Sequence, residues 1–268
     1  MKAEDLQKLK ETETEILEVV DRYCHRYNIR YSLYAGTALG AVRHKGFIPW
    51  DDDIDIAMTR EEFNRFCATW RRQPVQGYTL SCLQYDDVCS TCHAKIYKDN
   101  TLFIEEGMIE GIGHNGIWVD IFPLDKVGDA NSQKKVFRAA TELILLSRAN
   151  TRSRIDTINK RIIRQVVALI PKTIRKKRIR SILRWLAWND KQLSDSDYKQ
   201  VSLSATYAFR YRFPKEMTDH TVKIEFEGRD FDIYSKYEEM LTIIYGDYMQ
   251  LPPESERVCK HDPQKLKF

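Results

Sequence analysis

The sequence predicts an α+β fold, and three observations carry that prediction. Helical periodicity fills the first 27 residues and returns over residues 60–71. Short strand-like runs, punctuated by Gly, Pro and Asn, lie between and after these helices. From residue 131 to 205 the pattern becomes helical again, and strongly basic.

In chain order, Leu6, Leu9, Ile16, Val20, Tyr23 and Tyr27 fall mostly on one face of a helix over 4–27, and Asn28 suits its end. Tyr31 to Ala35 reads as a strand, and Gly36-Thr37 opens a helix of about two turns. Residues 44–52, with Gly46 and Pro49, read as a loop. A strand over 53–58 follows, whose alternation sends Asp53 and Asp55 to one face and Ile54 and Ile56 to the other. Thr59-Arg60-Glu61-Glu62 spells a capping box for a helix over 60–71. After Pro74 and Gly77, the segments 78–83, 93–97 and 116–122 read as short strands. Pro171 divides the basic stretch into INKRIIRQVVALI and KTIRKKRIRSILRWLAW. A hairpin, 222–226 with 231–234 around Gly228-Arg229, leads to a helix over 235–245. The Pro-rich tail beyond is expected to fold back on the body.

The charge is segregated. Lys134 to Arg184 holds 16 Lys or Arg against two acids, Glu142 and Asp156, while the rest of the chain holds 27 basic and 37 acidic residues. Solubility alone rarely produces that division. Ile174, Ile179, Ile182, Leu183 and Leu186 interleave with the cations of the second basic segment, and Trp185 and Trp188 lie near its end. Residues 134–188 thus suit an anionic membrane surface, although a helical domain with an incidentally basic face fits them too. Nucleic acid is an unlikely partner, because no binding motif accompanies the charge. No apolar run reaches the roughly 18 residues of a spanning helix, and the charged N-terminus lacks a signal peptide's apolar core. The expected location is cytoplasmic, peripheral at the inner face of the plasma membrane.

Six cysteines, Cys24, Cys67, Cys82, Cys89, Cys92 and Cys259, are then expected as reduced thiols. Cys89-Ser90-Thr91-Cys92-His93 has the haem-attachment spelling, but that chemistry belongs outside the cytoplasm. With Cys82 it could offer zinc ligands. A loop or strand edge with incidental thiols is the favoured reading.

Chemistry concentrates in residues 33–56, LYAGTALGAVRHKGFIPWDDDIDI. Asp53 and Asp55, about 7 Å apart along one strand face, repel each other unless a cation lies between them. Hard oxygen ligands suit Mg²⁺ or Mn²⁺. The small-residue turn at Gly36-Thr37 lets a phosphate approach the N–H groups at the start of a helix. Arg43 suits bidentate phosphate binding, Lys45 suits a point-charge contact, and His44 could bind phosphate or order the loop. One of Asp51 and Asp52 is expected to cap the turn into the strand. Trp50 is expected in the core, with stacking on a cationic headgroup as the alternative. Asp120 interrupts the apolar GIWVDIFPLD, where an unpaired acid costs several kcal/mol. A buried arginine could satisfy it, but joining Asp53 and Asp55 around one ion satisfies all three acids.

The stretch GTALGAVRHKGFIPWDDDIDIAM resembles the signature of the LicD family, phosphocholine transferases of bacterial surface polysaccharides, and the same element in fukutin-related proteins. WVDIFPLD and YGDYMQLPP extend the likeness over most of the chain outside the basic stretch. The chain is also similar to the wider nucleotidyltransferase pattern, in which a Gly-Ser-like turn precedes an Asp-x-Asp strand and a third acid lies on a neighbouring strand. The 15 residues between Thr37 and Asp53 are slightly long for that pattern.

The resemblance implies a nucleotidyltransferase-like mixed sheet flanked by helices. On this reading the chain divides into a catalytic core (1–130), a basic helical insertion (131–205) and a hairpin, helix and tail packed on the core (206–268). It implies a CDP-choline donor and a lipid-linked glycan acceptor, with phosphocholine passing to a sugar hydroxyl of a teichoic acid or lipopolysaccharide precursor. Asp53, Asp55 and Asp120 would be the metal ligands and catalytic acids, and Asp120 could take the hydroxyl proton. Gly36, Thr37, Arg43, His44, Lys45 and, by family position, Lys95 would contact phosphate. A nucleotidyltransferase moving NMP to a small molecule or RNA, and a non-catalytic membrane-associated scaffold, remain open.

Overall fold

The computed structural model describes residues 1–105, 113–147, 158–193, 199–202, 211–259, 261 and 263–268. Helix α1 (Ala3–Arg26) buries Leu9, Ile16, Val20 and Tyr23 of the predicted stripe and also Leu17, leaves Leu6 and the following Tyr27 half-buried, and Asn28 ends it with a left-handed φ of 52°. The predicted first strand shrinks to β1 (Ser32–Leu33), because α2 (Ala35–His44) already starts at Ala35. The loop after α2 packs closely against it: a Cβ on Gly40 would lie 2.4 Å from the carbonyl of Gly46. Strand β2 (Asp55–Thr59) begins two residues later than the alternation predicted, leaving Asp53 in the loop. Helix α3 (Arg60–Arg72) carries the predicted cap, with the Glu62 N–H donating to the Thr59 hydroxyl.

Strands β3 (Tyr78–Ser81), β4 (Ala94–Lys98), β5 (Leu102–Ile104) and β6 (Trp118–Val127) come next. Then follow α4 (Ala130–Ser147), α5 (Ile158–Ala168), α6 (Lys172–Gln192), β7 (Lys199–Ser202) and β8 (Phe213–Pro214). The hairpin β9 (Thr221–Phe226) and β10 (Arg229–Tyr234) precedes α7 (Tyr237–Tyr245) and β11 (Lys265–Lys267). Its turn is Glu227-Gly228, both at positive φ, one residue earlier than predicted.

The fold is α+β around a mixed sheet of order β1-β2-β6-β4-β3, with β7 on β6 and β8 on β7. The β2–β6 pair is parallel, and the other pairs are antiparallel. Strand β6 is apolar apart from Asp120, Asp125 and Lys126 because it is central and mostly buried. The helical reading of 131–205 fails at β7, whose four residues complete the sheet against the far end of β6. A satellite core joins α4 to α6 through Val136, Ala140 and Leu143 against Ile182, Leu183 and Leu186. Residues 148–157, including Asp156, and 203–210 lie outside the described residues. The tail folds back as expected, β11 pairing with β5.

Two buried features tie the layers together. Arg60 forms a bidentate ion pair with Asp125, at 2.8 and 2.6 Å, linking α3 to β6. Asp190 on α6 accepts the Lys126 N–H at 3.1 Å, anchoring the basic helices to the same strand.

Candidate active site

In the sheet register, Asp55 on β2 lies opposite Asp120 on β6, Asp120 opposite Lys95 on β4, and Lys95 opposite Ser81 on β3. Residues opposite one another in a sheet share a face, so two acids and a lysine form one row. Asp53 sits in the loop just before β2, and the row borders the start of α2. There the Thr37 hydroxyl accepts the Asp55 N–H at 2.8 Å, so α2 fixes where β2 begins.

The acids are not equivalent. Asp120 is fully engaged: Lys95 Nζ lies 2.8 and 3.0 Å from its two oxygens, His93 Nε2 lies 2.9 Å from Oδ1, and Trp118 Nε1 donates to Oδ2 at 2.9 Å. Burial alone would raise its pKa, but Lys95 and then His93 outweigh that and hold the carboxyl well below the usual range. Asp53 and Asp55 have no such ion pairs among the described residues. Burial, then Asp51, pushes Asp53 up to about 7. Burial, then Asp53 and Asp120, raises Asp55 well above its ordinary value.

Sequence reasoning missed four groups around this row. Glu13 on α1 is buried, its Oε2 has no hydrogen-bond partner among the described residues, and burial followed by Asp53, Asp52 and Asp120 raises its pKa. The signal was available: an acid stands inside the apolar stripe of Leu9, Ile16, Leu17 and Val20. His93, read as part of a cysteine motif, reaches Asp120 instead. His261, from the tail, lies 3.0 Å from the buried Asp52, whose hydrogen bond raises the imidazole pKa to about 9. Tyr245 on α7 has its pKa raised by desolvation first and then by Asp55 and Asp51. No local pattern points to the last two.

The predicted phosphate contacts divide. Gly36 lies against Asp51, where an added Cβ would meet Oδ2 at 2.6 Å. An acidic oxygen therefore already occupies the space beside the start of α2. Lys95 belongs to the row. Arg43, His44 and Lys45 lie at the other end of α2. Arg43 donates to the carbonyls of Tyr248 (3.0 Å) and Gln250 (3.3 Å) and to His44 Nε2 (3.0 Å), so it fastens the tail. Lys45 is largely exposed and pairs with Glu225 at 3.2 Å, on the hairpin. Trp50 packs partly buried against the core with Arg257 over its ring at 5.6 Å.

The donor set suits a hard divalent cation: among the described residues it offers two adjacent carboxylates without ion-pair partners, a third in register, and a buried acid oxygen without a hydrogen bond. Among the described residues, Asp53, Asp55 and Asp120 do not bring ligand oxygens within 4.8 Å of one another, as Asp21, His25 and Asp232 do elsewhere. A common ion therefore requires side-chain rotation at the row. The surface trio already shares Lys223, 3.0 Å from Asp232. Cys82, Cys89, Cys92 and His93 form no comparable cluster among the described residues.

A family model described as the nucleotidyltransferase domain of LicD/FKTN/FKRP matches residues 28–143. The lipopolysaccharide cholinephosphotransferase LicD of Haemophilus influenzae is 32% identical over 267 residues, covering 94% of this chain and 96% of that protein. An uncharacterised protein of Rickettsia prowazekii is 41% identical over 66 residues, covering 24% of this chain and 25% of its own length.

Proposed function

Because the chain belongs to the LicD family, we propose that it is a metal-dependent phosphotransferase moving phosphocholine from CDP-choline to a sugar hydroxyl. The acceptor is a cell-surface polysaccharide precursor, lipopolysaccharide or teichoic acid. The carrying observation is the row Asp55–Asp120–Lys95, with Asp53 beside it and the N-terminus of α2 at its edge.

Asp53 and Asp55 would hold Mg²⁺ or Mn²⁺, with Asp120 joining them. When bound, the ion neutralises the donor diphosphate and stabilises the departing phosphate of CMP. The start of α2 offers N–H groups and a positive dipole end to a phosphate, and the Asp51 carboxylate must withdraw from Gly36 to admit it. Lys95 has two alternative partners, Asp120 and a donor phosphate oxygen. Its transfer to phosphate would remove the strongest charge acting on Asp120, leaving His93 at Oδ1 and Trp118 at Oδ2, and would raise the basicity of the carboxylate. Asp120 then accepts the proton of the attacking hydroxyl. The hydroxyl oxygen bonds to the choline-bearing phosphorus, and the bond from that phosphorus to CMP breaks, CMP keeping the electron pair.

Attack at the nucleotide phosphorus is the second reading, favoured by the nucleotidyltransferase description of the matching domain. One experiment separates the two: incubate the protein with Mg²⁺ and acceptor, supplying CDP-choline in one arm and CTP in the other. CMP from the first supports phosphocholine transfer, and pyrophosphate from the second replaces it with nucleotidyl transfer.

A lipid-linked acceptor places the work at a membrane. No described helix is long and apolar enough to cross one. The α5–α6 elbow exposes Ile162, Ile163, Val166, Leu169 and Ile174, with exposed Lys177 nearby, a surface suited to anionic lipid. Co-sedimentation with phosphatidylglycerol vesicles, and not with phosphatidylcholine vesicles, is the expected result.

A further inference from the structure

The row of residues continues into a cavity. Beyond Asp120, Lys95 and Ser81 form part of the wall of a space of about 610 Å³ that extends beneath the basic helix α6. On the α6 side its walls carry Lys172, Arg175, Lys176 and Arg180. Asp86 and Asp87 are the acids facing them, and both have partners: His114 lies 3.0 Å from Asp86, while Lys176 pairs with Asp87 and Lys172 lies 3.8 Å from it. Four cations of α6 therefore face two acids, while the charge of Lys95 is met by Asp120. Tyr85 and Tyr97 add flat surfaces of the kind that pack against sugar rings.

Its position matters as much as its charge. In-line displacement at phosphorus needs the nucleophile and the leaving group on opposite sides. The start of α2 borders the row at Asp55, whereas the cavity borders it at Lys95, two strands away across Asp120. A donor whose nucleotide end lies toward α2 leaves the Lys95 side for the incoming hydroxyl.

We propose that this cavity is the acceptor subsite, and that it takes a sugar bearing an anionic group, phosphate or carboxylate, close to the hydroxyl that reacts. This rests on the phosphotransferase reading above. It also gives the basic charge of α6 a role apart from lipid binding, on the face of the helix turned to the cavity.

The test is calorimetric titration of the full chain at low salt with glucose 6-phosphate, glucuronic acid and glucose, and separately with CDP-choline. At least one of the two anionic sugars should bind at least tenfold tighter than glucose, and the stronger of them identifies the group. Substituting Lys172→Gln, Lys176→Gln and Arg180→Gln together should weaken that binding at least tenfold and change the CDP-choline affinity less than twofold. Lys172→Gln with Arg180→Gln, which leaves the Lys176–Asp87 pair intact, should give an intermediate loss. Equal binding of all three sugars, equal anionic-sugar binding by wild type and variants, or a variant that loses CDP-choline instead would overturn the proposal. CMP release by the wild-type protein tests the parent reading separately. Release without selective anionic-sugar binding sinks only the subsite.

Discussion

Asp55 and Asp120 lie opposite each other on the parallel strands β2 and β6, yet their acidities are driven in opposite directions. Lys95 and His93 hold Asp120 ionised, while Asp55, with no ion-pair partner among the described residues, is pushed toward its neutral form by burial and by its acidic neighbours. Neighbouring groups driven apart in this way are a recurrent mark of a site prepared for proton or ion transfer.

Replacing Asp55 by Asn should separate function from stability. Transfer measured as CMP release should fall by about three orders of magnitude, as expected when a metal-binding carboxylate is lost. The melting temperature should hold or rise by about 2–4 °C, because relief of like-charge repulsion is worth about 1 kcal/mol. A variant with wild-type CMP release would remove Asp55 from the chemistry.

Divalent cations should stabilise the protein without any substrate. Millimolar Mg²⁺ or Mn²⁺ should raise the melting temperature by several degrees, since a ligand at about 100 times its dissociation constant contributes about 2.7 kcal/mol. EDTA should reverse the gain, and Asp55→Asn should abolish it. An unchanged melting curve at every ion concentration would count against the donor set.

The Arg60–Asp125 pair should behave as structural and indivisible. Asp125→Ala leaves a buried guanidinium unpaired and should cost about 3–5 kcal/mol in urea unfolding. Exchanging both partners for apolar residues, Arg60→Met with Asp125→Leu, should recover most of that loss. If the single variant costs no more than the double, the pair is not what holds α3 to β6.

Asp190 predicts a pH dependence. Burial, followed by the charge of Asp125, raises its pKa from 3.8 to about 6. The folded state therefore holds a proton that the unfolded chain releases near pH 4, so stability from this group is present at low pH and lost as pH rises through about 6. Asp190→Asn removes the titration. The stability of the variant relative to wild type should increase between pH 4 and pH 7 by about 2–3 kcal/mol. A difference that stays flat, or falls, over that range would refute the assignment.

The sequence made local relationships legible. The capping box at Thr59, the stripe of α1 and the alternation at Asp55 and Ile56 depend on residues a few positions apart, and each appears in the fold. Asp53 fell outside the strand because pairing with β6 begins at Asp55, a fact no local alternation contains. The ties of His261 to Asp52 and of Arg43 to the Tyr248 carbonyl span 209 and 205 residues, beyond any periodicity. Strands β5, β7, β8 and β11 have two to four residues each, too few for a period of two to declare itself. The lone acid in an apolar run singled out Asp120, which the sheet sets opposite Asp55, whereas nothing local shows that Arg43 and Lys45 lie against the tail and the hairpin.

The attachment of His261 and Cys259 to Asp52 has a consequence for how the molecule is made and unmade. A ribosome releases the aspartate loop some two hundred residues before the histidine that secures it, so a nascent polypeptide carries that loop untethered until His261 has emerged. A protease acting on the exposed Leu251 to Val258 segment would recreate the untethered condition with one cut. Such a cut would leave the seven-stranded sheet whole while breaking the covalent path that returns His261 to Asp52.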